Sequence, residues 1–165
     1  MCKGAATVKI EDKKFAERVL KHLLISSQID GLKFGLNSSV TLLYFTNYNK
    51  KDDSDFVLNI ETTWTVYPEA RDTYPSSEDE VPLHTEEQYF KHIWDIRRQK
   101  VVDVQLDAVS PHLIISLESG RVLFVNGHDP DYECWQLGDP FAGSDWLLVA
   151  APGDDIAVWC PEEFE

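Results

Sequence analysis

The residues that could do chemistry are concentrated in one stretch, HDPDYE at 128–133, which follows the apolar run 122–125. An imidazole and three carboxylates in so short a segment could bind Ca²⁺ or Zn²⁺, or hold the metal of a nuclease. This composition raises the hypothesis of a metal-dependent hydrolase that uses His128, Asp129 and Asp131.

The spacing of these residues favours a loop instead. A calcium-binding EF-hand loop needs acidic or amide residues at positions 1, 3 and 5, a glycine at 6 and a glutamate at 12. Glu133 follows Asp129 by only four residues, and no glycine lies between them. Asn126-Gly127 can turn the chain and Pro130 can stiffen it. We therefore predict no divalent ion at 128–133 and no cofactor.

The rest of the chain carries no recognised catalytic pattern. It lacks Gly-x-Ser-x-Gly, His-Glu-x-x-His and P-loop motifs, and its five histidines share no ligand spacing. We therefore expect no catalytic residue and no enzymatic activity. The hydrolase, or a small-ligand or structural module, remains the alternative.

Cysteine usage and the chain start bear on the compartment. Cys2, Cys134 and Cys160 are too few and too scattered for a disulfide framework, which predicts a reducing compartment and three free thiols. No signal peptide and no apolar run long enough to span a bilayer is visible. We expect a cytoplasmic protein without membrane contact.

The net charge of −14 is distributed unevenly. Residues 1–50 carry eight Lys/Arg and four Asp/Glu, whereas residues 51–165 carry seven and twenty-five. An acidic body repels nucleic acid and anionic membranes and attracts basic partners. We expect a basic protein partner and no nucleic acid, with plain solubility as the other explanation of the acidity.

Two segments have the periodicity of amphipathic helices. Residues 12–25 place five apolar side chains on one face: Phe15, Val19, Leu20, Leu23 and Leu24. Thr85 and Gln88 form a predicted capping box at the start of the second helix. The buried stripe of that helix is expected to contain Tyr89, Phe90, Ile93 and Trp94.

Alternation of apolar and polar residues predicts the strands of an antiparallel sheet. One long strand with a single wet face is expected over 56–67, and a proline-rich connection over 68–84. Ser119-Gly120 predicts a two-residue type I′ turn in which Glu118 faces Arg121. The other expected strands are 31–37, 40–46, 101–107, 112–118, 121–126, 146–150 and 156–160.

The segments 31–67 and 101–138 resemble each other. Each contains three strands and then a tryptophan flanked by polar residues. We interpret them as an internally duplicated three-stranded unit, linked by 68–100 within a single domain of 1–165. The predicted fold class is α+β, with an antiparallel β-meander core and two helices.

The segment LIISLESGRVLFVNGHDPDYECWQLG resembles a group of small bacterial β-rich domains, through Gly120, Tyr132, Glu133, Trp135 and Leu137. Several such domains are similar to immunity proteins of polymorphic toxin systems, including contact-dependent growth inhibition. The resemblance implies a small acidic cytosolic inhibitor that blocks a basic toxin domain, such as an RNase or DNase, by steric and electrostatic occlusion. Because immunity proteins share no common motif, the resemblance assigns no binding residue by position.

The expected partner surface follows from the places where acidic residues are densest. We expect these turn-rich segments to gather at the rim of a sheet, with the loop after Val125 at the centre. Tyr132 and Trp135 would supply aromatic anchors, and the chain would act as a monomer or as a heterodimer with the toxin. The predicted partner-binding residues are Glu78, Asp79, Glu80, Asp129, Asp131, Tyr132, Glu133, Trp135, Asp139, Asp145, Asp154 and Asp155.

Overall fold

A computed structural model describes residues 7–35, 40–139 and 145–164 of the chain. The described residues form two α-helices, α1 Lys13–Leu24 and α2 Glu86–Ile96, and two short 3₁₀ turns at Glu78–Glu80 and Glu162–Phe164. They also form eleven strands: β1 Thr7–Ile10, β2 Gln28–Phe34, β3 Thr41–Thr46, β4 Asp55–Ile60, β5 Trp64–Tyr67, β6 Val101–Leu106, β7 Leu113–Leu117, β8 Val122–Val125, β9 Trp135–Gly138, β10 Leu147–Ala151 and β11 Asp155–Pro161.

The strands form two antiparallel sheets, which confirms the predicted α+β class with a β-meander. The first sheet has seven strands in the order β1-β11-β10-β9-β4-β3-β2, and the second has four in the order β5-β8-β7-β6. One apolar core joins them, because Leu58 and Trp135 of the first sheet belong to the same buried cluster as Ile115 and Val125 of the second. Leu20 of α1 contributes to this cluster as well.

The long strand predicted over 56–67 is wrong. β4 ends at Ile60 and β5 begins at Trp64, and the two strands lie in different sheets. β5 has no solvent-exposed face, because the connection that follows it covers its outer side. There Tyr67 packs in a second cluster with Val81 and Phe124. The alternation of apolar and polar residues continues from β4 into β5, so the sequence carries no signal of the change of sheet.

The two meanders exchange their following strands. β2-β3-β4 is followed by β5, which pairs with β8 of the second sheet. β6-β7-β8 is followed by β9, which returns to pair with β4 of the first sheet. The order of helix, three-stranded meander and exchanged strand therefore occurs twice, once around each of the two predicted halves. Their common origin stays a prediction.

The predicted register between β7 and β8 is wrong by one residue. Ser116 pairs with Val122, so Leu117 lies opposite Arg121 across a three-residue loop, and the Arg121 amide oxygen accepts from Leu117 N at 2.9 Å. Gly120 closes this loop with a φ of +91°, the left-handed conformation that three-residue hairpin loops require at their last position. Glu118 therefore does not face Arg121, whose guanidinium lies 3.7 Å from Asp95.

Helix α1 confirms its predicted bounds closely, and α2 begins at the predicted capping box. Asp12 caps α1, where its side chain accepts from Lys14 N at 2.9 Å. Both hydrogen bonds of the predicted capping box at α2 are present: the Thr85 side chain accepts from the Gln88 backbone N, and the Gln88 side chain accepts from the Thr85 backbone N. Among the described residues, no helix is long and apolar enough to cross a membrane.

The buried stripe of α2 differs from the prediction. Ile93 and Ile96 are buried, whereas Phe90 is 46% exposed and Trp94 is 49% exposed. The stripe follows Tyr89, Ile93 and Ile96, because Tyr89 packs at a tilt against Trp64 of β5, with ring centroids 4.7 Å apart, and this contact sets the rotation of the helix. β2 also begins at Gln28, earlier than expected, and the predicted strand residues 36–37 lie outside the described residues.

Candidate functional site

The two connections that cross between the sheets, 61–63 and 126–134, lie side by side. Asn126 joins them: its backbone N donates to Thr63 O at 3.0 Å, and its Nδ2 donates to Thr62 Oγ1 at 2.8 Å. Glu61 N donates to Cys134 O at 2.9 Å. Asn126 is fully buried, so these bonds are shielded from water and hold both connections at one end of the molecule.

The loop at 128–133 is held in shape by its own polar groups. One carboxylate oxygen of Asp129 accepts from Asp131 N at 2.8 Å and from Tyr132 N at 3.0 Å. The backbone oxygen of Asp129 accepts from Gly153 N at 3.0 Å, which ties the loop to the β10–β11 turn. Tyr132 is left 73% exposed at the tip. The loop is therefore ordered and presents an aromatic side chain to solvent.

A histidine–aspartate pair strengthens the same junction. His128 Nδ1 lies 2.7 Å from Asp154 Oδ1. Burial alone would raise the pKa of Asp154, but hydrogen bonds from His128 and Ser110 outweigh it and hold that pKa below its ordinary value. Asp154 is therefore an anion that holds the loop, and its Oδ1 is already occupied by His128.

A cavity of about 320 Å³ lies beside the first crossing connection; we call it the crossover pocket. Trp64 and Tyr89 line it, together with the acidic residues Glu61, Glu78 and Glu86. Residues of β5, α2 and the 3₁₀ turn at 78–80 thus converge on one concavity. Apolar pockets with a few converging polar groups are the usual form of a binding site.

The carboxylates around the crossings form one acidic face. Gln136 Nε2 lies 3.4 Å from a carboxylate oxygen of both Glu61 and Glu133, so those two acids are neighbours. Through Glu61 the loop acids meet the acids of the crossover pocket. We define the acidic face as Glu61, Glu78, Glu86, Asp129, Asp131 and Glu133.

Seven of the predicted partner-binding residues lie at this end of the sheets. They are Glu78, Asp129, Asp131, Tyr132, Glu133, Asp154 and Asp155. Asp79 and Glu80 are exposed in the same 3₁₀ turn as Glu78. A backbone hydrogen bond from Ser76, supported by one from the Ser76 hydroxyl, lowers the pKa of Glu80.

Three predicted residues lie elsewhere. Trp135 is fully buried and its Nε1 donates to Pro111 O at 2.9 Å, so this ring is a core residue and cannot anchor a partner. Asp139 follows Gly138, which pairs with Leu147 at the far end of β9 and β10, and Asp145 precedes the same end. Those two carboxylates are therefore separated from the acidic face by the length of β9, about 13 Å at 3.3 Å per residue.

Two functional candidates were missed by sequence reasoning. Glu61 looked like one residue on the polar side of a long strand, and Glu86 like an ordinary acidic residue in the first turn of a helix. The break between β4 and β5 puts Glu61 on a connection, and the packing of α2 on β5 brings Glu86 to it. The only sequence feature that could have indicated a connection here is the polar run Glu61-Thr62-Thr63 before Trp64.

The donor atoms of the hypothetical metal site are already engaged. His128 pairs with Asp154, and the carboxylate of Asp129 holds its own loop. Among the described residues, no group of three or more His, Cys, Asp or Glu side chains is placed to hold a metal. The absence of a divalent ion at 128–133 stays a prediction.

The cysteines offer no activated nucleophile among the described residues. Cys134 is a buried free thiol, and burial raises its pKa to about 12, so it stays protonated at neutral pH. Cys160 is fully buried in β11. Cys2 lies outside the described residues, so the count of three free thiols stays a prediction.

Comparison with known proteins adds no assignment. No protein-family model matches the chain, and neither the curated proteins nor the solved structures contain a significant match.

Proposed function

We propose that this chain is an immunity-type protein that binds and neutralises a basic bacterial toxin domain, an RNase or DNase, in the cytoplasm. The acidic face is the observation that supports this most. Its six carboxylates lie around two connected strand crossings, and none of them forms an ion pair with a described lysine, arginine or histidine. Their negative charge is therefore not neutralised by a described basic side chain.

The proposed mechanism is occlusion of the toxin's phosphate-binding surface. Carboxylates of the acidic face would pair with the lysines and arginines that otherwise hold nucleic-acid phosphates, and Tyr132 would contribute apolar area between the charges. Asp129 and Gly153 already order the loop at 129–133, so binding would require little further ordering of its backbone. The excess negative charge would also accelerate encounter with a cationic domain.

The experiment uses the basic toxin domain encoded next to the gene for this chain. The variant Asp131→Lys with Glu133→Lys reverses two exposed charges and leaves Asp129, which holds the loop, unchanged. We expect toxin affinity to fall about 30-fold or more, with loss of protection in cells, because charge pairs at such interfaces are worth about 2 kcal/mol or more. The wild-type association rate should fall steeply as salt is raised.

Glu162→Lys with Glu163→Lys is the matched control. It makes the same change in net charge at the opposite end of β11, where both residues are exposed. Its affinity for the toxin should stay close to that of the wild type. If both variants bind as the wild type does, and association is insensitive to salt, the acidity serves solubility and the proposal fails.

A further inference from the structure

The crossover pocket combines aromatic and acidic walls. The rings of Trp64 and Tyr89 lie with their centroids 4.7 Å apart, and His84 packs edge-on against Tyr89 at 5.1 Å. The acidic residues Glu61 and Glu78 line the same cavity. Aromatic rings attract a cation through their faces, and carboxylates attract it through charge, so both walls favour the same kind of ligand.

Thr63 adds a polar atom without a partner. Its hydroxyl oxygen is buried, has no hydrogen-bond partner in the described part of the chain, and belongs to a residue that lines the pocket. Buried polar atoms are nearly always hydrogen-bonded in folded proteins. A ligand that supplies an N–H donor to this oxygen would complete the site.

His84, which also lines the pocket, does not repel a bound cation. His84 Nε2 lies 2.9 Å from Thr65 Oγ1, and burial lowers the pKa of His84. The ring is therefore neutral at pH 7 and adds no positive charge beside the carboxylates.

We propose that the crossover pocket binds an arginine side chain of the toxin partner. A guanidinium is planar, so it stacks on aromatic rings, and its five N–H donors can reach several acceptors at once. It would stack on the half-buried ring of Tyr89, which Trp64 supports from behind at 4.7 Å, pair with Glu61 and Glu78, and donate to the Thr63 hydroxyl. A lysine ammonium is compact and strongly hydrated, and it has no planar face to stack.

This inference rests on the proposed function only for the source of the arginine. The pocket itself is tested without a toxin, by titrating Nα-acetyl-L-arginine N-methylamide into ¹⁵N-labelled protein. We expect saturable shifts of the backbone amides of Thr63, Trp64 and Tyr89. The citrulline analogue, which has the same shape without the charge, should give no saturable shift. The lysine analogue should bind about tenfold more weakly, because it lacks the stacking face.

Paired variants locate the site. Glu61→Gln with Glu78→Gln keeps the shape of both side chains and should weaken arginine binding about tenfold, since two charge-assisted contacts are lost. Glu162→Gln with Glu163→Gln removes the same charge at the far end of β11 and should leave the arginine titration unchanged. Equal weakening in both variants, or equal shifts with citrulline, would overturn the proposal.

Further measurements distinguish a protein arginine from a free guanidinium compound, and the pocket proposal from the proposed function. If methylguanidine saturates the pocket while the blocked arginine does not, the pocket admits only a free guanidinium compound and the assignment to a protein side chain is overturned. If the arginine probe binds while the basic toxin domain does not, the proposed function fails and the cation pocket stands. If the toxin binds and the Glu61→Gln with Glu78→Gln variant keeps its full affinity, the pocket proposal fails alone.

Discussion

His112 links three separate parts of the chain through one buried ring. Its Nδ1 accepts from Gly127 N at 2.9 Å, so its Nε2 carries the proton and donates to Ser76 O at 3.2 Å. Burial lowers the pKa of this histidine, against smaller opposing effects of Asp107 and Asp154. The ring is therefore held neutral, and it ties the 68–84 connection to the start of β7 and the end of β8.

The neutral state of His112 predicts acid sensitivity. Below its ordinary pKa of 6.5 the unfolded chain gains a proton on this ring while the folded chain does not, so the free energy of unfolding falls as pH decreases. The loss for one such group is at most about 1.4 kcal/mol per pH unit. Urea denaturation at pH 7.5 and 5.5 measures it.

The matched variant is His112→Gln, which keeps a hydrogen-bonding side chain without titrating. We expect it to lose less stability than the wild type between the two pH values. His22, His84 and His92, whose pKa values burial also lowers, should leave part of the dependence in place. Identical losses in the wild type and the variant would show that His112 has no part in the effect.

At the scale of elements, α2 matters because it forms one wall of the crossover pocket. Its start is fixed by Thr85, whose hydroxyl accepts from Gln88 N at 3.2 Å, while Gln88 Oε1 accepts from Thr85 N at 2.8 Å. Glu86 is the first residue of the helix and Tyr89 lies one turn later, so the cap also positions two pocket residues.

Loss of this cap should be measurable. We expect Thr85→Ala to lower the free energy of unfolding by about 1 kcal/mol, as is typical for removal of an N-cap hydroxyl. Ser77→Ala is a suitable control, because Ser77 precedes the 3₁₀ turn at 78–80 without a side-chain capping bond. Equal effects of the two substitutions in urea denaturation would argue against the capping contribution.

At the scale of the whole molecule, the strand exchange makes each sheet depend on both halves of the chain. β5 pairs with β8 and β9 pairs with β4, and a single buried cluster contains residues of both sheets. Neither meander can complete its sheet without a strand from the other half. Unfolding of one half would expose the core of the other.

We therefore expect one cooperative unfolding transition. Tryptophan fluorescence and far-ultraviolet circular dichroism should give the same midpoint in urea, because Trp64 lies in the second sheet and Trp135 in the first. Because the chain has five tryptophans, the difference in fluorescence between the wild type and Trp64→Phe, or between the wild type and Trp135→Phe, reports on one sheet at a time. Two distinct midpoints would mean that the sheets unfold independently.

The sequence by itself determined the elements that depend on neighbouring residues. The helix at 13–24, the capping box at Thr85 and the strands around residues 101–125 all follow from contacts between residues a few positions apart. The uneven distribution of charge was also evident from the sequence. Four of the six acidic-face residues were among the predicted partner-binding residues. Local spacing is enough for such features, because hydrogen bonds within a turn and the alternation of a strand act over short distances.

The tertiary structure alone decided how those elements combine. The sheet switch after Ile60, the burial of Trp135 and the meeting of Glu61 with Glu86 depend on partners far along the chain. An alternating pattern states which residues share a face, but it does not state which sheet buries that face. Packing against distant strands determines which sheet buries the face. The same packing places the polar run 61–63 in the lining of the crossover pocket.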